Sequence, residues 1–233
     1  MDGDNVVAHT GSVGLLLTRG QAGGSVRQRP VMAMRFSIAL VLVVLVYVWV
    51  IEPLTPRWVQ HVPTVLVLGI SIWRATRTGE WGVDASAFLP ALRAALIVAA
   101  CAAAVIYPVG VMLGTLQHRS HPLGDLVFLL FWAAGQQLAL QTVLLREAQA
   151  VSGGRRGIWL AALTFAAIHL PNSFLILMTF VGALAWCWIY DRHPNILPLA
   201  LSHALVTLVI LYSFDDSITG RLRIGYSYLL LTR

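Results

Sequence analysis

The chain has 233 residues, 58% hydrophobic and 11% charged, with a mean hydropathy of +0.77, which excludes an ordinary soluble domain and fits a polytopic membrane protein. All 16 basic residues are Arg and most lie between apolar runs, so the formal charge of +6 reads as membrane topology and excludes nucleic acid as the expected partner. Cys101 and Cys187 both fall within apolar segments, which excludes a disulfide framework and a Cys-based metal site.

Residues 1–30 are rich in Gly, Ser, Gln and Arg without helical or strand period, and are expected to form a mobile tail. The stretch FSIALVLVVLVYVWVI after Arg35 lacks a small-x-small cleavage site and runs on into EPLTPRW, so it reads as a first membrane helix rather than a signal peptide. Further apolar runs cover residues 60–74, 88–114, 124–148, 156–170, 174–190 and 194–213, giving seven candidate spans for about 30 Å of hydrocarbon. The second and fifth are the shortest. The expected architecture is an all-α bundle of about seven transmembrane helices: residues 31–123 hold the N-terminal helices, 124–213 a core, and 214–233 a C-terminal tail suited to the interface.

Seven spans with a cytoplasmic N-terminus place Arg19, Arg27, Arg29, Arg35, Arg74, Arg77, Arg93, Arg146, Arg155, Arg156 and Arg192 inside. Only Arg57, Arg119, Arg221, Arg223 and Arg233 then fall outside, so the N-terminus is expected in the cytoplasm.

Polar side chains inside spans are costly and normally turn toward the bundle interior, where they pair or do chemistry. Three clusters stand out: Gln136, Gln137 and Gln141 in GQQLALQ, His169 in FAAIHLPN, and His203 in LPLALSHALVT. On a helix Gln137 and Gln141 share one face, while Gln136 points about 100° from Gln137. Pro171 disfavours helix at Leu170 and is expected to leave carbonyls near His169 unpaired, an arrangement tolerated at membrane depth mainly where it lines a cavity. Taken singly, each cluster is as well explained by interhelical hydrogen bonds of about 0.6 kcal/mol. Together, two histidines and the carboxamides make a candidate pocket for water or a divalent metal such as Zn held by His169 and His203. His118 and His121 have ligand-like spacing but sit in a polar loop, and His193 reads as a turn residue.

The order and spacing of these three clusters, with Phe180, Gly182, Leu197 and Pro198 between the last two, resemble the CPBP intramembrane proteases, which include the type II CAAX prenyl endopeptidases and bacteriocin-immunity proteins. That family carries Glu-Glu-x-x-x-Arg, Phe-x-x-x-His and His-x-x-x-Asn. Here they return as QQLALQ, FAAIH and HALVT over residues 124–213. The resemblance implies an intramembrane endopeptidase in a bacterial plasma membrane, acting on membrane peptides or proteins, with Gln136 at the position of the general base and His169 beside it. It further places Gln137 and Gln141 at an ion pair and His203 with Thr207 at an oxyanion site.

The departures fall on the reacting groups. An amide cannot accept a proton near neutral pH, so Gln136 does not replace a catalytic Glu. Glu147 shares nearly the same helical face but lies about 16 Å further along the axis. The concerted change to three amides lowers the cost of burying the pocket. Three readings follow: a divergent endopeptidase using the two histidines; a non-catalytic member binding a membrane peptide or partner helix, as an immunity or chaperone-like protein would; and a small transporter-like bundle, supported only by the break at Pro171.

Overall fold

Long runs of Leu, Val, Ile and Ala without charge can satisfy their backbone in a bilayer as helices, and the described residues of the apolar runs named above are mostly helical. The computed structural model describes residues 34–56, 59 and 62–231. The tail expected over residues 1–30 lies outside them. Helix α1 spans Arg35–Val46 and continues through a π turn, Tyr47–Ile51, and a 3-10 turn, Glu52–Leu54. Then come α2 (Val62–Thr78), α3 (Phe88–Leu113) and α4 (Pro122–Leu138), which passes through a second π turn, Ala139–Leu145, into α5 (Arg146–Ser152). The core is completed by α6 (Gly154–Ala167), α7 (Ser173–Arg192) and α8 (Ile196–Ser213). Two short helices close the described chain: α9 (Asp216–Thr219) and α10 (Gly225–Leu229).

Among the described residues five helical segments are long and apolar enough to cross a membrane: 35–54, 88–113, 122–152, 173–192 and 196–213. The chain is therefore a multi-span, all-helical integral membrane protein, and the expected count of seven is not reached on length. Helix α2 has 17 residues and α6 has 14, rises of about 25 and 21 Å against roughly 30 Å of hydrocarbon. The consequence is local. A helix as short as α6 ends before the far face of a bilayer, and the turn that follows it carries His169.

Contacts at the two ends fix the alternation of helix directions. At one end Glu147, opening α5, accepts the backbone N–H groups of Phe36 (3.3 Å) and Ser37 (2.7 Å) in the first turn of α1. There too, Arg74 and Arg146 both reach Glu80, at 3.0 and 4.0 Å, and Gln149 donates to Asp191 at 2.6 Å. Asn195 donates to the Asp84 carbonyl at 2.8 Å, tying the α7–α8 turn to the α2–α3 connection. At the other end Gln117 N–H donates to Tyr212 O, and Asn172 donates to the carbonyls of Thr219 (2.9 Å) and Arg223 (3.0 Å). The C-terminal segment thus folds back over the α6–α7 turn.

Helix α8 is the most enclosed of the five spans, packed chiefly on α3 and α4. Gly110 makes the first contact possible: a Cβ there would collide with the Ser213 backbone. The main core joins buried residues of α1, α3, the α4–α5 π turn, α6, α7 and α8, with Leu140, Leu145, Ala162, Cys187 and Leu199 fully buried.

Candidate functional site

The α4–α5 π turn has no solvent face: all seven of its residues are buried. Such wide turns are frequent at functional sites because they re-aim the side chains beside them. Gln137 lies just before the turn and Gln141 inside it, both fully buried. Gln141 Nε2 donates to Gln137 Oε1 at 2.8 Å, and Gln137 Nε2 lies 3.4 Å from His203 Nδ1 on α8. The i,i+4 spacing and the shared interior placement of glutamines and second histidine are therefore as the sequence implied.

The direction of this chain fixes the chemistry of its end. With the Gln137 oxygen occupied by Gln141, its nitrogen is the donor to His203, so His203 Nδ1 accepts and its Nε2 carries the proton. At the other end Gln141 Oε1 is buried without a hydrogen-bond partner among the described residues, and the Gln141 amide lies beside the Cys187 thiol. A lone buried acceptor is a group the fold leaves for something else to satisfy.

His169 arrives from the turn after α6. Two of the carbonyls expected to be unpaired around it are paired. His169 Nδ1 donates to the Phe165 carbonyl at 2.7 Å, and the Leu170 carbonyl accepts Gly225 N–H at 2.8 Å from the C-terminal segment. A carbonyl can only accept, so the ring proton sits on Nδ1 and Nε2 keeps its lone pair. The Phe165 ring meets His169 edge-on at 5.1 Å, which gives the aromatic of FAAIH a positioning role. Asn172 fixes the turn by accepting Leu175 N–H at 3.0 Å while donating to the two tail carbonyls.

Gln136 and Thr207 stand apart. Both are half-buried, and neither side chain makes a hydrogen bond among the described residues. Thr207 lies one turn beyond His203 on α8. Glu147 is committed to the α1 backbone, and Asp125 pairs with Arg119 at 2.6 Å. His118 and His121 are exposed in the α3–α4 loop.

Trp186 was not a sequence candidate. Its ring stacks on His203 with centroids 4.3 Å apart, and its Nε1 donates to Ser202 at 3.3 Å. Gly182 permits this, since a Cβ there would lie 2.8 Å from the indole. The glycine four residues before a tryptophan, inside FVGALAW, is the only sequence trace of the stack.

A catalytic zinc takes three protein ligands from His, Cys, Asp or Glu, and the arrangement around His169 and His203 does not fit one. Among the described residues no three such side chains come together, and Cys187 meets Gln141 rather than a histidine.

The comparisons with known proteins bear on residues 119–209, which match the family model described as Type II CAAX prenyl endopeptidase Rce1-like. This segment is similar to that family. It takes in the end of the α3–α4 loop, α4 to α7 and all but the last turn of α8, and so includes every glutamine and histidine of the buried network. No curated protein and no solved structure matches the chain. The CAAX-protease resemblance therefore rests on the Rce1-like segment.

Proposed function

We propose that the chain is a non-hydrolytic member of the Rce1-like fold that binds a membrane-associated peptide at the His169–His203 site. The observation that carries this reading is the carboxylate-free network Gln141–Gln137–His203. Every member is neutral, and the carboxylates within reach in sequence are spent elsewhere, Glu147 on α1 and Asp125 on Arg119. A neutral network is cheap to bury but supplies no base of ordinary carboxylate strength. It does suit a peptide backbone in a bilayer, where each N–H and C=O needs a partner. His169 Nε2 and Gln141 Oε1 are acceptors for N–H groups, and His203 Nε2–H is a donor for a carbonyl.

A second reading, a divergent CAAX-type endopeptidase, is favoured by the complementary tautomers. His169 Nε2 would take a proton from the attacking water, His203 Nε2–H would hold the developing oxyanion, and the proton would pass from His169 to the leaving nitrogen as the C–N bond breaks.

Fluorescent CAAX-type peptides, prenylated and plain, distinguish the two in liposomes holding the purified protein. Saturable binding without cleavage, weakened at least tenfold by His169→Ala, is the expected result, with cleavage gained by the Gln136→Glu/Gln137→Glu double variant. Cleavage by the parent that His169→Ala abolishes would establish the endopeptidase instead. Neither binding nor cleavage would reject both.

A further inference from the structure

A second site lies at the Arg-rich end, away from the histidines. Helices α1 and α2 pack side by side, and between them runs a groove of about 340 Å³ lined by Arg35, Phe36, Ala39, Ile70, Trp73 and Arg77. Its walls are hydrocarbon and aromatic: Phe36 and Trp73 meet edge-to-face at 5.2 Å. Its mouth is cationic. Arg35 stands 4.9 Å above the Phe36 ring and Arg77 5.8 Å above the Trp73 ring. A ring face holds a guanidinium without consuming its N–H edge.

Neither cation has a carboxylate partner among the described residues. Among the described residues Arg74, Arg119, Arg146 and Arg221 have carboxylate partners, whereas Arg35 and Arg77 have none and are exposed. Glu147, which reaches the first turn of α1, is already occupied by the N–H groups of Phe36 and Ser37. Two unpaired guanidiniums flanking an apolar slot, at the end of a membrane-spanning helix, match one ligand in both halves. A phosphate takes the fork of N–H donors, and an acyl chain takes the slot beside Ala39 and Ile70.

We propose that this groove is a binding site for one anionic phospholipid, such as phosphatidylglycerol, from the leaflet at the Arg-rich end, with its phosphodiester held between Arg35 and Arg77. Basic pockets between transmembrane helices recognise anionic headgroups by this chemistry. Charge argues against the chain's own residues 1–33 as occupant: they carry Arg19, Arg27 and Arg29 against only Asp2 and Asp4.

Native mass spectrometry and thermal shift of the full-length protein, titrated with phosphatidylglycerol, phosphatidylcholine or inorganic phosphate, test the assignment. The expected result is one retained phosphatidylglycerol and a Tm rise that phosphatidylcholine and phosphate alone do not produce. Arg35→Gln/Arg77→Gln should weaken retention at least tenfold, and Ala39→Trp should block it while leaving both charges in place. Arg155→Gln/Arg192→Gln, which removes two charges elsewhere at the same end, should leave it unchanged. Equal retention by the Arg35→Gln/Arg77→Gln variant, equal binding of phosphatidylcholine, stabilisation by phosphate alone, or binding seen only after deletion of residues 1–31 would each overturn the proposal.

Discussion

The hydrogen bonds from Gln141 through Gln137 to His203 form a line with a middle and two ends, and the middle should matter most. Gln137→Leu strands two buried groups, the Gln141 nitrogen and the His203 Nδ1 atom. Gln141→Leu strands only the Gln137 oxygen and at the same time removes an oxygen that has no partner. An orphaned buried group costs about 1–3 kcal/mol, less where a membrane-embedded unfolded state offers other partners. Gln137→Leu should therefore lower stability by about 2 kcal/mol, and Gln141→Leu by about 1 kcal/mol or less. Unfolding of both variants in mixed micelles checks the order. A Gln141→Leu variant less stable than Gln137→Leu would mean that the line runs differently.

At the scale of elements, the sequence announced the helices through their apolar runs, because a bilayer leaves no alternative for an uncharged backbone. It also announced the 137–141 pair and the order of the two histidines, which are properties of spacing. The devices that join elements were not legible, since each depends on a partner far away in the chain. Glu147 is the clearest case. Read along its own helix it is a carboxylate at a cytoplasmic end; in the fold it closes the first turn of α1, 110 and 111 residues earlier. The π turn after Leu138 and the stack of Trp186 on His203 are likewise products of packing, which periodicity does not encode. If Glu147 is the cap of α1, Glu147→Ala should cost about 1–2 kcal/mol, in the range of lost N-caps. Glu147→Gln, which keeps one acceptor oxygen, should cost less. Amide hydrogen exchange at residues 36–40 should quicken in Glu147→Ala; unchanged exchange there would show that α1 holds its first turn without help from α5.

For the whole molecule the open quantity is which end faces the cytoplasm. Helix alternation gathers Arg35, Arg74, Arg77, Arg93, Arg146, Arg155, Arg156 and Arg192 toward one end and leaves Arg119, Arg221 and Arg223 at the other. A bias of that size in short loops is expected to set orientation, and the expected orientation puts the α5–α6 turn and the proposed lipid groove in the cytoplasmic half. The α3–α4 loop and the C-terminal segment over the His169 turn then face outward, so a peptide would reach the histidines from the outer half of the bilayer. A membrane-impermeant maleimide tests this in intact bacterial cells expressing a Cys101→Ser background; the remaining thiol, Cys187, is buried. His118→Cys, on the exposed α3–α4 loop, should label before lysis, and Arg155→Cys only after it. The reverse pattern would invert the bundle, move the lipid groove to the outer leaflet and bring peptides to the site from the cytoplasmic side.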